Sequence, residues 1–142
     1  MRWSIGVALA VLVGVGAARV HAQKPQETSQ VKPIATVGEI MHLLTIPLSN
    51  VVFEYGGEPP KDDKTWDEVR GKAVALAEAG NLLMLGSRAK DRAAWMKFSR
   101  AQVDAAEAAA KAAAAKNGVQ LSAASDALYE TCAGCHKVYL AQ

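Results

Sequence analysis

Two cysteines and a histidine near the C-terminus have a spacing that predicts a specific chemistry. Residues 132–136 have the sequence Cys-Ala-Gly-Cys-His. On a helix, Cys135 and His136 are the i+3 and i+4 neighbours of Cys132, so the three side chains project from nearly one face. Two thiols so placed can add to the two vinyl groups along one haem edge while the imidazole reaches the iron. The pattern predicts covalent haem attachment through Cys132 and Cys135, with His136 as an axial iron ligand.

Three other chemistries use a Cys-x-x-Cys pair, and the sequence favours haem over each of them. A thioredoxin-like redox pair belongs to a βαβ unit, and no strand pattern precedes this motif. A closed zinc site needs four ligands, and adding His42 to the motif gives a spacing that matches no usual zinc module. A disulfide across two intervening helical residues would be strained.

The N-terminus has the pattern of a secretory signal peptide. Arg2 precedes an uncharged apolar stretch over residues 5–18, and Val20-His21-Ala22 resembles a cleavage site. The stretch is short for a membrane span, although an uncleaved anchor is the alternative. We expect a signal peptide over 1–22, a periplasmic protein, and no stable membrane insertion after cleavage. Residues 23–35 are polar, contain two prolines, and predict a flexible tail.

Composition restricts the partners and the domain count. A chain of 142 residues with 51% hydrophobic and 21% charged residues forms one folded domain rather than a disordered chain. It has 16 Lys and Arg against 14 Asp and Glu, and the signal peptide contains two of the cations and no acid. The mature chain is therefore formally neutral. Since it has no basic tract interleaved with aromatic residues, we expect no nucleic-acid partner.

Apolar residues recur at helical spacing in four segments, and none of the chain shows the alternation of a strand. The sequence therefore predicts an all-α fold, an antiparallel four-helix bundle over 36–142. Large core residues are few, and a covalently bound haem would fill that gap. The predicted helices cover residues 36–55, 66–85, 92–116 and 122–140.

Helix signals within these segments make more local predictions. Pro47 predicts a kink or break in the first helix, because it lacks a backbone donor. Thr65 and Glu68 predict a capping box at the start of the second helix. Gly80 predicts a close approach to a neighbouring helix, and Asp91 predicts the N-cap of the third. In that third helix, 12 of the 24 residues from 93 to 116 are alanine, which favours helix but supplies little core volume.

The signal peptide, the four helices and a single Cys-x-x-Cys-His near the C-terminus together resemble the class II c-type cytochromes, which include the cytochromes c-prime. The resemblance covers the mature chain in architecture, and the haem motif is its specific part. It implies a haem near one end of the bundle, thioether bonds from Cys132 and Cys135, and His136 as the proximal ligand. Leu140 stands where family members often have an arginine, which departs from the family pattern.

The resemblance also places the first helix on the distal side of the haem. Low-spin members have a methionine there, and Met41 lies on the apolar stripe of that helix. We therefore expect a six-coordinate haem protein with Met41 as the distal ligand. Such a protein would carry single electrons between redox partner proteins and would not be an enzyme. His42 is the rival ligand, on a more polar face. Without a sixth ligand, the alternative is a five-coordinate protein that binds nitric oxide or carbon monoxide.

Two surface interactions are also expected. The resemblance implies that a homodimer can form through the first two helices. Arg88, Lys90 and Arg92 lie in the predicted loop before the third helix, where they could dock an acidic redox partner or meet a haem propionate.

Overall fold

A computed structural model describes residues 31–140, and within this range the chain forms helices, turns and loops but no strand. The predicted signal peptide (1–22) and most of the predicted tail (23–35) lie outside the described residues. None of the helices in the described range is long and apolar enough to cross a membrane. The helical elements are α1 (Val37–Ile40), a π-helical turn (Met41–Thr45), α2 (Ile46–Gly57), α3 (Asp63–Leu83), a 3₁₀ turn (Gly86–Arg88), α4 (Ala94–Ala114) and α5 (Gly118–Tyr139).

The first predicted helix is one continuous helical segment, residues 37–57, whose pattern changes from α to π and back to α. It begins with a capping box, in which the Thr36 hydroxyl accepts from the Glu39 N–H at 3.2 Å and Glu39 Oε2 accepts from the Thr36 N–H at 2.8 Å. The break that Pro47 could have caused is absent, since the segment is helical through this residue. A π-helical turn lies just before Pro47, which has no N–H to donate to the Leu43 carbonyl.

The predicted start of the second helix is wrong by three residues. Helix α3 begins at Asp63, and Asp62 is its N-cap, with a carboxylate that accepts from the Thr65 N–H at 2.9 Å. Asp caps a helix as well as Thr does and comes earlier in the chain, so the helix gains a turn. Helix α3 ends at Leu83, and Gly86, with a φ of +58°, begins the 3₁₀ turn that follows.

The third and fourth helices also differ from prediction at their ends. Helix α4 begins at Ala94, and its N-cap residue is Ala93 rather than the predicted Asp91. The Asp91 carboxylate still satisfies the first N–H groups of the helix, because it accepts from Ala93, Ala94 and Trp95 at 3.1, 2.7 and 3.3 Å. Helix α5 begins at Gly118 rather than at residue 122. Asn117 is the N-cap of α5 and accepts from the Gln120 N–H at 3.0 Å.

Four helical segments pack together around a core of small residues. Helix α3 packs against α4, α4 against α5, and α2 against both α3 and α5. Buried alanines from α4 occupy much of the interior, and the side chains with under 2% exposure are aliphatic rather than aromatic. The largest of these are Ile40, Val52, Val69, Leu76, Leu121 and Leu128.

The close approach predicted at Gly80 is present between α3 and α4. A Cβ atom built on Gly80 would lie 2.8 Å from Val103 Cγ2 and 3.3 Å from the Ser99 carbonyl oxygen. Only a residue without a side chain therefore fits at this crossing. By contrast, a Cβ on Gly71 of the same helix would meet nothing within 4 Å.

This difference predicts opposite effects of one substitution at two positions of α3. Gly80→Ala should lower the free energy of unfolding by about 1–3 kcal/mol, because the added methyl forces α3 and α4 apart. Gly71→Ala should raise it by about 0.5–1 kcal/mol, since alanine is the better helix former and has room. Urea denaturation of both variants measures the two effects, and a stabilising Gly80→Ala would contradict this packing.

Candidate functional site

A cavity of about 390 Å³ opens between the first helical segment, α4 and α5. All four residues that the sequence predicted as haem-binding or iron-binding line it: Met41, Cys132, Cys135 and His136. The cavity lies within the size range of small-molecule and cofactor sites, about 300–1,000 Å³. Residues almost a hundred positions apart in the sequence therefore share one site.

Helix α5 positions the two cysteines and the histidine. Leu121, Ala124 and Leu128 are buried along one stripe of this helix, and Cys132 continues the stripe where the core gives way to the cavity. Cys135 follows one turn later. The described part of the chain provides no hydrogen-bond partner for the His136 imidazole, so its ring nitrogens are free to bind another group.

Cys132 and Cys135 are free thiols and both are partly buried. Burial raises the pKa of the Cys132 thiol, and the neighbouring Cys135 raises it further. Burial also raises the pKa of the Cys135 thiol. A thiol redox centre depends on a lowered pKa that yields the thiolate at neutral pH. This pair has the opposite electrostatic environment, so the site does not favour thiol redox chemistry.

The structure separates the two candidate distal ligands. Met41 is partly buried and lines the cavity, whereas His42 is exposed and does not line it. Within residues 31–140, no three His, Cys, Asp or Glu side chains lie close enough together to hold a metal ion. The zinc alternative would need His42 beside the two thiols, and the structure does not place it there.

Aromatic side chains form one part of the remaining wall, and polar side chains such as Ser49, Asn50 and Gln102 form another. Phe53 and Tyr129 meet edge to face with ring centroids 6.4 Å apart, and both line the cavity. Phe98 and Trp95 also line it. The aromatic part of the lining suits a large flat group, which needs planar surfaces to pack against.

A second core cluster closes one end of the cavity. Ile40, Leu83 and Trp95 form its buried centre, and Met41 and Tyr139 pack against it. The Trp95 indole N–H donates to the Leu83 carbonyl at 2.8 Å, and its ring meets Tyr139 edge to face with centroids 4.9 Å apart. Through this cluster Ile40, the residue before Met41, is connected to Tyr139, which lies in the last turn of α5. Helix α5 also carries His136.

Asp91 joins the start of α4 to the end of α5. Besides capping α4, its carboxylate accepts a hydrogen bond from the Tyr139 hydroxyl. That hydrogen bond lowers the pKa of Asp91 and is the main cause that raises the pKa of Tyr139 to about 12. The bond between Asp91 and Tyr139 could not be predicted from sequence, because the two residues are 48 positions apart.

Two further residues were not assigned their observed roles from sequence. Arg88, predicted to contact a partner or a propionate, is 9% exposed and donates to the carbonyls of Ala35 and Leu82 at 2.9 and 3.0 Å. Its guanidinium therefore holds the chain before α1 against the end of α3. Thr45 lines the cavity and is 4% exposed. Among the described residues, its hydroxyl is the one buried side-chain polar atom without a hydrogen-bond partner.

These observations test whether the residues suit a covalent haem. The cavity brings together two thiols, an imidazole and a thioether, which are the groups that hold haem c and ligate its iron. Leaving the Thr45 hydroxyl unpaired costs about 1–3 kcal/mol, which an additional occupant or a changed neighbour would recover. The residues present therefore fit the group. Comparison of this chain with protein-family models, curated proteins and solved structures gave no match.

The Asp91–Tyr139 bond predicts how stability depends on pH. Unfolding returns Tyr139 to its usual pKa near 10 and Asp91 to near 4. The bond's stabilisation is therefore complete between these values. It is lost as pH rises from about 10 toward about 12, and as pH falls below about 4. Thermal melts of wild type and Tyr139→Phe across this range should differ most near neutral pH and converge at both extremes.

Tyr55→Phe provides the matched control for that comparison. The Tyr55 hydroxyl has no hydrogen-bond partner within residues 31–140, and its ring packs against the main core cluster. The melting temperature of Tyr55→Phe should therefore differ from that of wild type by a constant amount across the pH range. A constant offset for Tyr139→Phe as well would contradict the role given to Asp91.

Proposed function

We propose that this protein is a periplasmic monohaem c-type cytochrome that carries single electrons. Cys132 and Cys135 hold the haem by thioether bonds, His136 is the proximal ligand, and Met41 is the distal ligand. The observation that carries the proposal is the single cavity lined by these four side chains. A haem with a His/Met ligand pair supplies a reduction potential suited to electron transfer.

The contacts between helices support the antiparallel bundle that this function requires. A Cβ on Gly56 would lie 2.4 Å from Ser125 Cβ, while Phe53 meets Tyr129, so residue numbers fall on one helix as they rise on the other. The same relation holds between α3 and α4, where Gly80 faces Val103 and Leu83 accepts from Trp95. We assign the bundle an antiparallel arrangement on this basis.

The remaining parts of the proposal come from the sequence. The signal-peptide pattern supports export, and covalent attachment would retain the haem outside the cytoplasm. The resemblance to class II c-type cytochromes supports the same assignment through the position of the haem motif near the C-terminus. Electron transfer requires redox partner proteins but no bound substrate, so we do not propose an enzyme.

Met41 is favoured over His42 as the distal ligand because of where the two side chains lie. Met41 is on the π-helical turn and lines the cavity, while His42 is exposed. A methionine thioether is a weak, polarizable ligand that is paired with histidine in electron-carrying cytochromes. Bis-histidine ligation would require His42 to turn from solvent into the cavity, whereas the adjacent Met41 already lines it.

The visible spectrum tests the distal ligand and separates the two haem functions. The reduced wild-type protein should show sharp low-spin bands that carbon monoxide does not shift. Met41→Ala should convert this spectrum to a broad high-spin one that responds to carbon monoxide, because the sixth position is open. His42→Ala is the matched control and should leave the spectrum unchanged.

Two results would overturn parts of this proposal. A high-spin wild-type spectrum that responds to carbon monoxide would replace the electron carrier with a five-coordinate gas-binding protein. A Met41→Ala protein that keeps the low-spin spectrum would show that another group is the distal ligand, and loss of that spectrum in His42→Ala would identify the group.

A further inference from the structure

The unpaired Thr45 hydroxyl is the strongest unexplained feature of the cavity. Thr45 lines the cavity wall, is 4% exposed, and has no partner for its Oγ1 atom among the described residues. Ser49, one turn further along the same segment and also lining the cavity, donates to the Ile46 carbonyl at 3.1 Å. A buried hydroxyl in a helix ordinarily bonds backward in this way, so Thr45 departs from the local pattern.

The backbone around Thr45 is also irregular. The usual acceptors for its hydroxyl are the carbonyls three and four residues earlier, of His42 and Met41, and it donates to neither. In the π-helical turn the Met41 carbonyl accepts from the Ile46 N–H instead of the Thr45 N–H. The turn therefore places a free hydroxyl donor four residues after Met41, on the same side of the segment and against the same cavity. Turns of this type occur frequently at functional sites.

We infer that the Thr45 hydroxyl is the hydrogen-bond donor to the sulfur of Met41 when that thioether turns into the cavity as a ligand. This inference rests on the proposed function, because it concerns Met41 as a ligand. A thioether sulfur has two lone pairs, of which one is used in ligation and the other is a weak hydrogen-bond acceptor. Thr45 is thus a positioning residue that acts through Met41.

The hydrogen bond has an electronic consequence besides an orienting one. It draws electron density from the sulfur and so makes the thioether a poorer donor. Electron donation from the sulfur stabilises ferric haem iron more than it stabilises ferrous haem iron. The Thr45 hydroxyl therefore favours the reduced form, and removing it should lower the reduction potential.

Thr45→Val tests this on the haem-loaded protein, because valine keeps the branched shape and removes only the hydroxyl. We expect the reduction equilibrium to shift about fivefold toward the oxidised form, which is about 40 mV at 59 mV per tenfold change. Thr45→Ser restores a hydroxyl and should bring the potential back toward wild type. Ser49→Ala removes a cavity-lining hydroxyl that already has a partner, so its potential should shift far less than that of Thr45→Val.

A double-mutant cycle with Met41→Ala shows whether Thr45 acts through Met41. The Thr45→Val shift should disappear in the Met41→Ala background. An unchanged potential in Thr45→Val, an equal shift in Ser49→Ala, or a shift that persists without Met41 would each overturn the inference. These results differ from failure of the proposed function, which the spectra of wild type and Met41→Ala report independently of Thr45.

Discussion

Burial of Leu121 and Leu128 fixes the rotation of α5 about its axis, and the candidate site depends on that rotation. Both side chains have no measurable exposure, and burying each contributes about 1.5–3 kcal/mol. Cys132 lies one turn beyond Leu128 on the same stripe, where the core ends and the cavity begins. Turning α5 by one residue would expose the leucines and move the thiols off the cavity wall. Core packing therefore also sets the direction in which the Cys-x-x-Cys-His motif faces.

The opposite wall of the cavity depends on a different constraint, the missing N–H of Pro47. Pro47 removes one backbone hydrogen bond from the first helical segment, and the π-helical turn just before it contains Met41 and Thr45. Trp95 then connects this turn to both neighbouring helices through its bond to Leu83 and its contact with Tyr139. The π-helical turn and the Trp95 indole thus set the position of Met41, the candidate distal ligand, relative to His136, the candidate proximal ligand.

The helices and their buried stripes could be predicted from sequence because each depends on residues close together in the chain. The first residue of α3 was predicted wrongly because Asp62 and Thr65 are both good caps, and local preference does not choose between them. The roles of Arg88, Tyr139 and Thr45 could not be predicted, since each depends on contacts or on missing contacts in the folded chain. Arg88 is the clearest case, because an arginine in a polar loop ordinarily indicates an exposed charge.

The core consists largely of alanine and aliphatic side chains, and a cavity lies beside two thiols and an imidazole. A covalent haem would fill this cavity and bond to these three side chains. The most direct test is the intact mass of the exported protein after full denaturation. We predict the mass of the chain after signal cleavage plus one haem, and loss of the covalent haem when Cys132 and Cys135 are both replaced by alanine. A purified, folded protein with the mass of the bare chain and two free thiols would contradict the account.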